Sequence, residues 1–307
     1  MNLANQSKTD NIFTNKCRLH QSNYRQNVIG EPFGFGPNRT SKIKYGNMLI
    51  DGEITGSNFI SNAAFEFAKQ KVMDKQINGD LTIDEYRLFN NMLSSMPMCF
   101  NLFSDLRKLL LTDQDEVSRI IKLLFNELSW IEKVTYIDVE FIPTPISDYT
   151  NDKSAFDAMI LVADKNGKKG IISIETKYTD ILGINTNKNS NTKESIIEQG
   201  KFFDAELFNE LKAKGYKQIH RNYLLTYIYA KKKKISNFAN VVISPEEDKL
   251  SVKEIDELKS HMLKFQDSIL KISLEKFVTR GIHCGNKEIS KIMQLFYNRY
   301  LDFEDNQ

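Results

Sequence analysis

Apolar residues recur at two different periods along this chain, and the switch between them marks out its organisation. Residues 1 to about 55 are polar and rich in turn-formers, with EPFGFGPN at 31–38, which predicts an irregular arm packed over the main body. From Gly56 the spacing is helical. Ser57 and Asn58 can cap a helix through AAFEFAKQKVMDKQ, stopped by Asn78-Gly79. A second helix follows Thr82 through YRLFNNMLSS, ahead of Pro97, and CFNLFSDLRKLLL continues helical. Asp113 or Asp115 opens the next, EVSRIIKLLFNELSWIE, where Val117, Ile120, Ile121, Leu124 and Leu128 form one apolar face.

The period then changes. VTYIDVEFIP (134–143) alternates and is β-branched, so it predicts a strand. AFDAMILVAD and GIISIETKY predict two more, joined by a turn containing Asn166-Gly167. The Asn-rich stretch Gly183–Asn191 predicts a loop, Glu194–Gly215 an amphipathic helix, Gln218–Tyr229 another helix, and NVVIS (Asn240–Ser244) a short buried strand. From about Val252 the chain is helical again, broken near Gly281 and Gly285. Helix, three strands, helices and a strand, in that order, describe a mixed α/β sheet flanked by helices on both faces.

Two features of this pattern carry chemistry. An aspartate, Asp157, sits inside the first apolar strand of the hairpin, and the second ends in Glu175-Thr176-Lys177. Acids within apolar β-runs are costly to bury unless paired, protonated or metal-bound. If the chain folds back about Asn166-Gly167, Asp157 lies opposite a residue near Glu175–Lys177, and opposed residues sit ~5 Å apart. Period 2 places Glu175 and Lys177 on one face, with Thr176 pointing away. Two carboxylates so placed can share one divalent ion, Mg²⁺ or in its stead Mn²⁺, as hard oxygen ligands. Such an ion lowers the pKa of a bound water, and a neighbouring lysine can position that water or neutralise a phosphoryl transition state. The bland alternative is three charges at strand ends, meeting solvent.

Composition adds little and excludes some classes. The 307 residues are 41% hydrophobic and 27% charged, as expected of a packed globular protein. With 42 basic and 40 acidic residues the net charge is +2, so any nucleic-acid surface is a local patch rather than a global field. Three scattered cysteines, Cys17, Cys99 and Cys284, argue against a disulfide framework. The first residues contain no apolar signal-like run and no stretch nears ~18 uninterrupted apolar residues, so a cytoplasmic protein with no membrane partner is expected. No Ser/His/Asp arrangement and no phosphate-binding G-x-x-x-x-G-K-[ST] occurs. Cys17-x-x-His20 and His283-Cys284 could form a zinc site only by meeting in space, and buried or idle side chains are the better reading.

The aspartate, the E-T-K tripeptide and the element order resemble the PD-(D/E)XK nuclease superfamily, the restriction-endonuclease-like fold. Asp157 matches the motif's aspartate, and Glu175 and Lys177 match its (D/E)XK half; Phe156 replaces the proline. Further segments resemble one bacterial branch of such proteins: His20-Gln21, Tyr45–Leu49, Gly56–Phe59, Asn91–Ser95, Cys99–Phe103, and Gln218, Arg221 and Asn222. The resemblance implies an αβββαβ core at about 111–250, with an N-terminal arm and helical annex at 1–110 and a C-terminal helical extension at 251–307. It also implies a metal-dependent nuclease, with DNA as the expected partner and a homodimer reasonable for cutting both strands. Asp157 and Glu175 would hold Mg²⁺. The rival reading is a catalytically silent nuclease-fold protein that binds nucleic acid or a protein.

Supporting residues are less sharply marked. A third acid could come from Glu116, Glu127 or Glu140. Glu140 is preferred, because VEFIP is otherwise apolar and a glutamate there needs a reason. Gln218 and Arg221 lie one helical turn apart, on one face. They could orient the lysine or contact phosphate, against an ordinary surface pair as the alternative. Lys231–Lys234 and the hairpin-tip lysines Lys165, Lys168 and Lys169 read as solvated charges unless they face the cleft.

Overall fold

The computed structural model describes residues 6–78, 82–180, 182–183, 186 and 199–303. Its centre is a five-stranded sheet in the order β1-β2-β3-β4-β5: β1 Lys133–Phe141, β2 Phe156–Ala163, β3 Lys169–Thr176, β4 Asn237–Ser244 and β5 Ile269–Ser273. The first three strands are antiparallel neighbours, and β4 and β5 add in parallel. This is the mixed sheet expected from the sequence, extended by one strand. By pattern ILKIS falls within the C-terminal helical region, because five residues carry too little alternation to reveal a strand. It is set in place by pairing, Asn240 to Ser244 against Ile269 to Ser273.

Alternation along the strands splits the interior into two cores. Ala158, Ile160, Val162, Ile172, Ile174, Val241 and Ile243 face one large apolar cluster. That cluster takes in α1 Ile12–Tyr24, α3 Asn62–Asn78, α5 Ser95–Leu110, α6 Gln114–Leu124, α10 Leu274–Ile282 and α11 Lys287–Tyr300. Met159, Ile171 and Val242 face the other cluster, under α7 Ala205–Lys214, α8 Gln218–Lys232 and α9 Lys249–Ser260. Residues from the N-terminal annex, the sheet and the C-terminal extension thus share a single core on the first face. Among the described residues no helix is long and apolar enough to cross a membrane. All three cysteines are unpaired and buried.

Local chemistry shifted several helix boundaries. The helix expected to be capped by Ser57-Asn58 starts at Asn62, where the Ser61 hydroxyl accepts from the Ala64 N–H at 3.1 Å. Asn58 is buried instead, its amide nitrogen donating to the Leu88 carbonyl and its oxygen accepting from Arg299. The helix drawn from Thr82 towards Pro97 is two: α4 Glu85–Asn90, capped by Asp84, then α5, capped by Ser94. Pro97 falls in the first turn of α5, where its missing N–H would have had no helical partner. Asp113 opens α6. That helix ends at Leu124, although Leu128 and Ile131 stay buried.

The arm over residues 1 to about 55 is less irregular than its composition suggested. It contains α1, whose N-cap Asn11 accepts from the Thr14 N–H at 2.8 Å. The helix lacks a continuous apolar stripe; Cys17 and Phe13 reach the core, and polar contacts add to them, Gln21 Nε2 to the Arg299 carbonyl at 2.6 Å and His20 Nε2 to the Asn298 carbonyl at 3.1 Å. The Gly183–Asn191 loop and the start of the helix expected over Glu194–Gly215 lie largely outside the described residues; the described part is α7.

Gly52, at the start of the one-turn helix α2 Gly52–Thr55, sets how closely α4 approaches it. A Cβ on Gly52 would stand 1.9 Å from the Phe89 carbonyl oxygen, and the Gly52 N–H donates to Asn90 Oδ1 at 2.9 Å. Gly52→Ala must therefore push α4 outwards. We expect it to lose ~1–3 kcal/mol, the usual range for overpacking, read as a lowered thermal midpoint.

Candidate active site

The hairpin turn sets the geometry. Asp164 Oδ1 accepts from the N–H groups of Asn166 and Lys168, and Gly167 takes φ +75°, closing the turn at Asn166-Gly167. The resulting β2–β3 register pairs Ala158 with Ile174, and one step further places Asp157 opposite Glu175. On the other side of β2, Val139 pairs with Ala158 and Phe141 with Phe156, so Glu140 falls opposite Asp157. Three carboxylates therefore stand in a row across three adjacent strands, and all line one cavity of about 540 Å³. Glu140 reaches this position with φ +51°, a left-handed backbone that a glutamate rarely adopts. Such conformations persist only where the surroundings enforce them, and they concentrate at functional sites.

Each acid is held differently. Asp157 Oδ2 accepts from the Thr176 N–H at 2.7 Å and the Thr176 hydroxyl at 3.0 Å. Thr176, expected to point away, instead fixes the aspartate, because its backbone N–H and Oγ1 reach across the strand end together. Glu175 Oε1 pairs with Lys177 Nζ at 2.7 Å and accepts from Gln218 Nε2 at 2.8 Å. Its Oε2 accepts from Asn222 Nδ2 at 2.6 Å. Glu140 is buried, and its carboxylate has neither a hydrogen bond nor an ion pair among the described residues.

The electrostatics follow from this crowding. Burial first, then Asp157 and Glu175, push the Glu140 carboxyl up to about 8. Burial and then Glu175 raise Asp157 to about 7, against the pull of Lys177 and the Thr176 hydrogen bonds. Burial opposes the charge on Lys177, but Glu175 and Asp157 outweigh it and hold its pKa above the ordinary lysine value. The ammonium is therefore permanently charged.

The supporting candidates separate cleanly. Gln218 touches Glu175 and is itself clamped, its Oε1 accepting from the Gly183 N–H at 2.8 Å. Arg221 lines the cavity but reaches no acid of the row. Its Nη1 donates to the Tyr216 carbonyl at 2.7 Å, and its Nε lies 3.9 Å from Asp152. Asn222, one turn beyond Gln218, touches Glu175; the i, i+4 spacing of Gln218 and Asn222 was the available signal for it. Glu116 and Glu127 stay on the surface, tied to Arg119 and to Lys276 and Arg280. Lys231–Lys234 lie at the far end of α8 from Gln218, ~20 Å away at 1.5 Å per residue. The hairpin-tip lysines sit at the end of β2 remote from Asp157.

The donor set suits a hard divalent cation. Among the described residues, Glu140 has both oxygens open, Asp157 has Oδ1 open, and Glu175 Oε2 carries one hydrogen bond of the two it can accept. Burial first, and mutual repulsion second, raise the Glu140 and Asp157 carboxyl pKa values, and a bound cation would offset both. As the side chains stand, no three His, Cys, Asp or Glu among the described residues are in ligand geometry, and this includes the Cys17, His20, His283 and Cys284 pairs. Cys17 is a buried neutral thiol pushed up to about 12, and His283 turns to the Thr279 carbonyl.

A family model of the PD-(D/E)XK nuclease superfamily matches residues 8–302. The chain belongs to the PD-(D/E)XK nuclease superfamily. The match spans the annex and the C-terminal extension as well as the sheet, and the fold carries the family's mixed sheet with flanking helices. Neither a curated protein nor a solved structure matches the chain.

Proposed function

We propose that this protein is a metal-dependent nuclease that hydrolyses phosphodiester bonds of DNA. The observation that carries this reading is the meeting of Asp157, Glu175 and Lys177 on the floor of one cavity, with Lys177 Nζ 2.7 Å from Glu175 Oε1. Asp157 and Glu175 would hold Mg²⁺, or Mn²⁺ in its place, with Glu140 as a third oxygen donor. When bound, the ion supplies a water of lowered pKa and positive charge beside the scissile phosphate.

The protein's own residues do the rest. Lys177 donates to the attacking water or a phosphoryl oxygen, and its fixed charge offsets the negative charge that builds up in the transition state. Thr176 holds one oxygen of Asp157, leaving the other directed to the cavity. Gln218 and Asn222 are positioning residues. By fixing Glu175 from α8 they set the direction in which it and Lys177 act. Gln218→Ala and Asn222→Ala are each expected to lower cutting roughly 10–100-fold, the usual effect of removing a residue that orients a metal ligand. Circular dichroism and the thermal midpoint should change little for Gln218→Ala.

The test is direct. Purified protein is incubated with plasmid, single-stranded DNA and RNA in Mg²⁺, Mn²⁺ or EDTA. Cutting that needs the metal supports the reading, and the substrate arms identify the nucleic acid. Binding without cutting in every metal would overturn it in favour of a silent nuclease-fold binder.

A further inference from the structure

The wall of the acidic cavity facing the sheet is built by the annex. Thr82, Asp84 and Arg87 reach it from α4 and the residues before it, and Ser95 and Met96 from the start of α5. Arg87 is the odd member. Its Nε is enclosed without any hydrogen-bond acceptor, and its guanidinium makes no ion pair among the described residues.

The other cavity cations are placed differently. Lys177 is spent on Glu175, Arg221 on the Tyr216 carbonyl and, more distantly, Asp152, and Lys153 stands exposed. Enclosing a guanidinium N–H without an acceptor is unfavourable. The nearest acids do not relieve it. Asp84 Oδ1 caps the backbone N–H of Arg87 itself, at 3.0 Å, and Glu140 stays out of hydrogen-bond reach while lying close enough to feel the positive charge.

The backbone beneath Arg87 is firmly held. Leu88, Phe89 and Asn90 are buried, the Leu88 carbonyl accepts from Asn58, and Asn90 is bound to both Gly52 and Glu53. An unspent guanidinium on a fixed helix, aimed into a cavity, is preorganised for an anion that arrives from outside. Its planar fork matches two phosphate oxygens better than an ammonium would.

We propose that Arg87, supplied by the N-terminal annex, binds a backbone phosphate of the nucleic acid beside the scissile one, so that the annex completes the substrate site. This rests on the nuclease reading and extends it: the sheet supplies the cutting residues, and α4 supplies the grip on the strand. It also gives the annex a reason to be packed into the same core as the sheet.

The test uses the full chain. Affinity for a labelled oligonucleotide is measured across a salt series in the non-cutting Lys177→Ala background, with and without Arg87→Ala or Arg87→Lys. Cleavage is measured with the same Arg87 changes in the otherwise unaltered protein. Arg87→Ala should weaken binding roughly tenfold and reduce the slope of log affinity against log salt by about one phosphate contact. Cutting should fall roughly 10–100-fold, and Arg87→Lys should restore the salt slope but only part of the rate. A lowered thermal midpoint with an unchanged salt slope would mean that Arg87 is structural, overturning the inference. If the unaltered protein cuts while Arg87→Ala binds and cuts equally well, this inference alone fails. If the unaltered protein neither binds nor cuts any nucleic acid, the nuclease reading fails first.

Discussion

Lys177→Ala is expected to abolish most cutting, by on the order of 10³-fold in single turnover, while leaving metal binding in place. The two effects separate because Lys177 is a donor and not a ligand. In the proposed mechanism, removing it deletes the positive charge that would stand beside the reacting phosphate, yet frees an oxygen of Glu175 that the ammonium now occupies. Asp157→Ala should behave differently and lose both cutting and the stabilisation conferred by Mg²⁺. Thermal unfolding with and without Mg²⁺, beside single-turnover cleavage, distinguishes the two variants. A Lys177→Ala protein that cut at an undiminished rate would remove the lysine from the mechanism. Breaking a buried ion pair also costs stability, typically ~3–5 kcal/mol, so Lys177→Met, which keeps the packing of the stem, is the companion variant.

The second large effect concerns pH in the absence of metal. Asp157 and Glu140 have carboxyl pKa values raised from 3.8 to about 7 and from 4.5 to about 8. Between those limits the folded protein binds more protons than the unfolded chain, so these two groups make stability fall as pH rises from about 4 to 8. Their stabilising contribution is full at low pH and gone above the folded pKa values. Buried His220, lowered to about 3 by burial and then by Lys217, acts in the opposite sense below about pH 6.5. The carboxylate contribution is therefore read as a difference between proteins.

In EDTA at pH 8, Glu140→Gln should melt above the unaltered protein by roughly 3 °C, about 2 kcal/mol for a chain of 307 residues. That gap should close towards pH 5. Added Mg²⁺ should stabilise the unaltered protein more at pH 8 than at pH 5, because protons compete for the same oxygens. It should stabilise Glu140→Gln less. Equal melting of the two proteins at every pH would mean that Glu140 does not share the charge of Asp157 and Glu175.

The Asn166-Gly167 turn specifies a hairpin from local backbone preference alone, and with period-2 alternation it puts Asp157, Glu175 and Lys177 within reach of one another. The α-helical period of residues 56–128, the three β-branched runs and the Gln218 helix are likewise local properties, since each depends on neighbours a few residues apart. The αβββαβ order and the acidic pair are thus legible in the local sequence.

Long-range contacts decided the remainder. Glu140 stood out only as an acid in an apolar run; its place in the row came from the β1–β2 register and from a left-handed backbone that no local preference favours. Thr176 looked outward by alternation and turned out to hold Asp157, because a strand end can offer its N–H and hydroxyl together. α1 has no continuous apolar stripe to announce it; it is held by Phe13 and Cys17 in the core and by polar contacts with α11, more than 270 residues away in sequence. β5 is five residues long and exists because β4 offers it an edge. Arg87 carries no sequence signal at all: an arginine on a short helix becomes distinctive only when packing encloses its Nε in the wall of the cavity that the three carboxylates line. The chain's local chemistry was enough to specify a hairpin with two acids and a lysine. The third acid, the clamp on Glu175 and the annex wall exist only because distant segments pack together, and packing is what turns those three residues into a site.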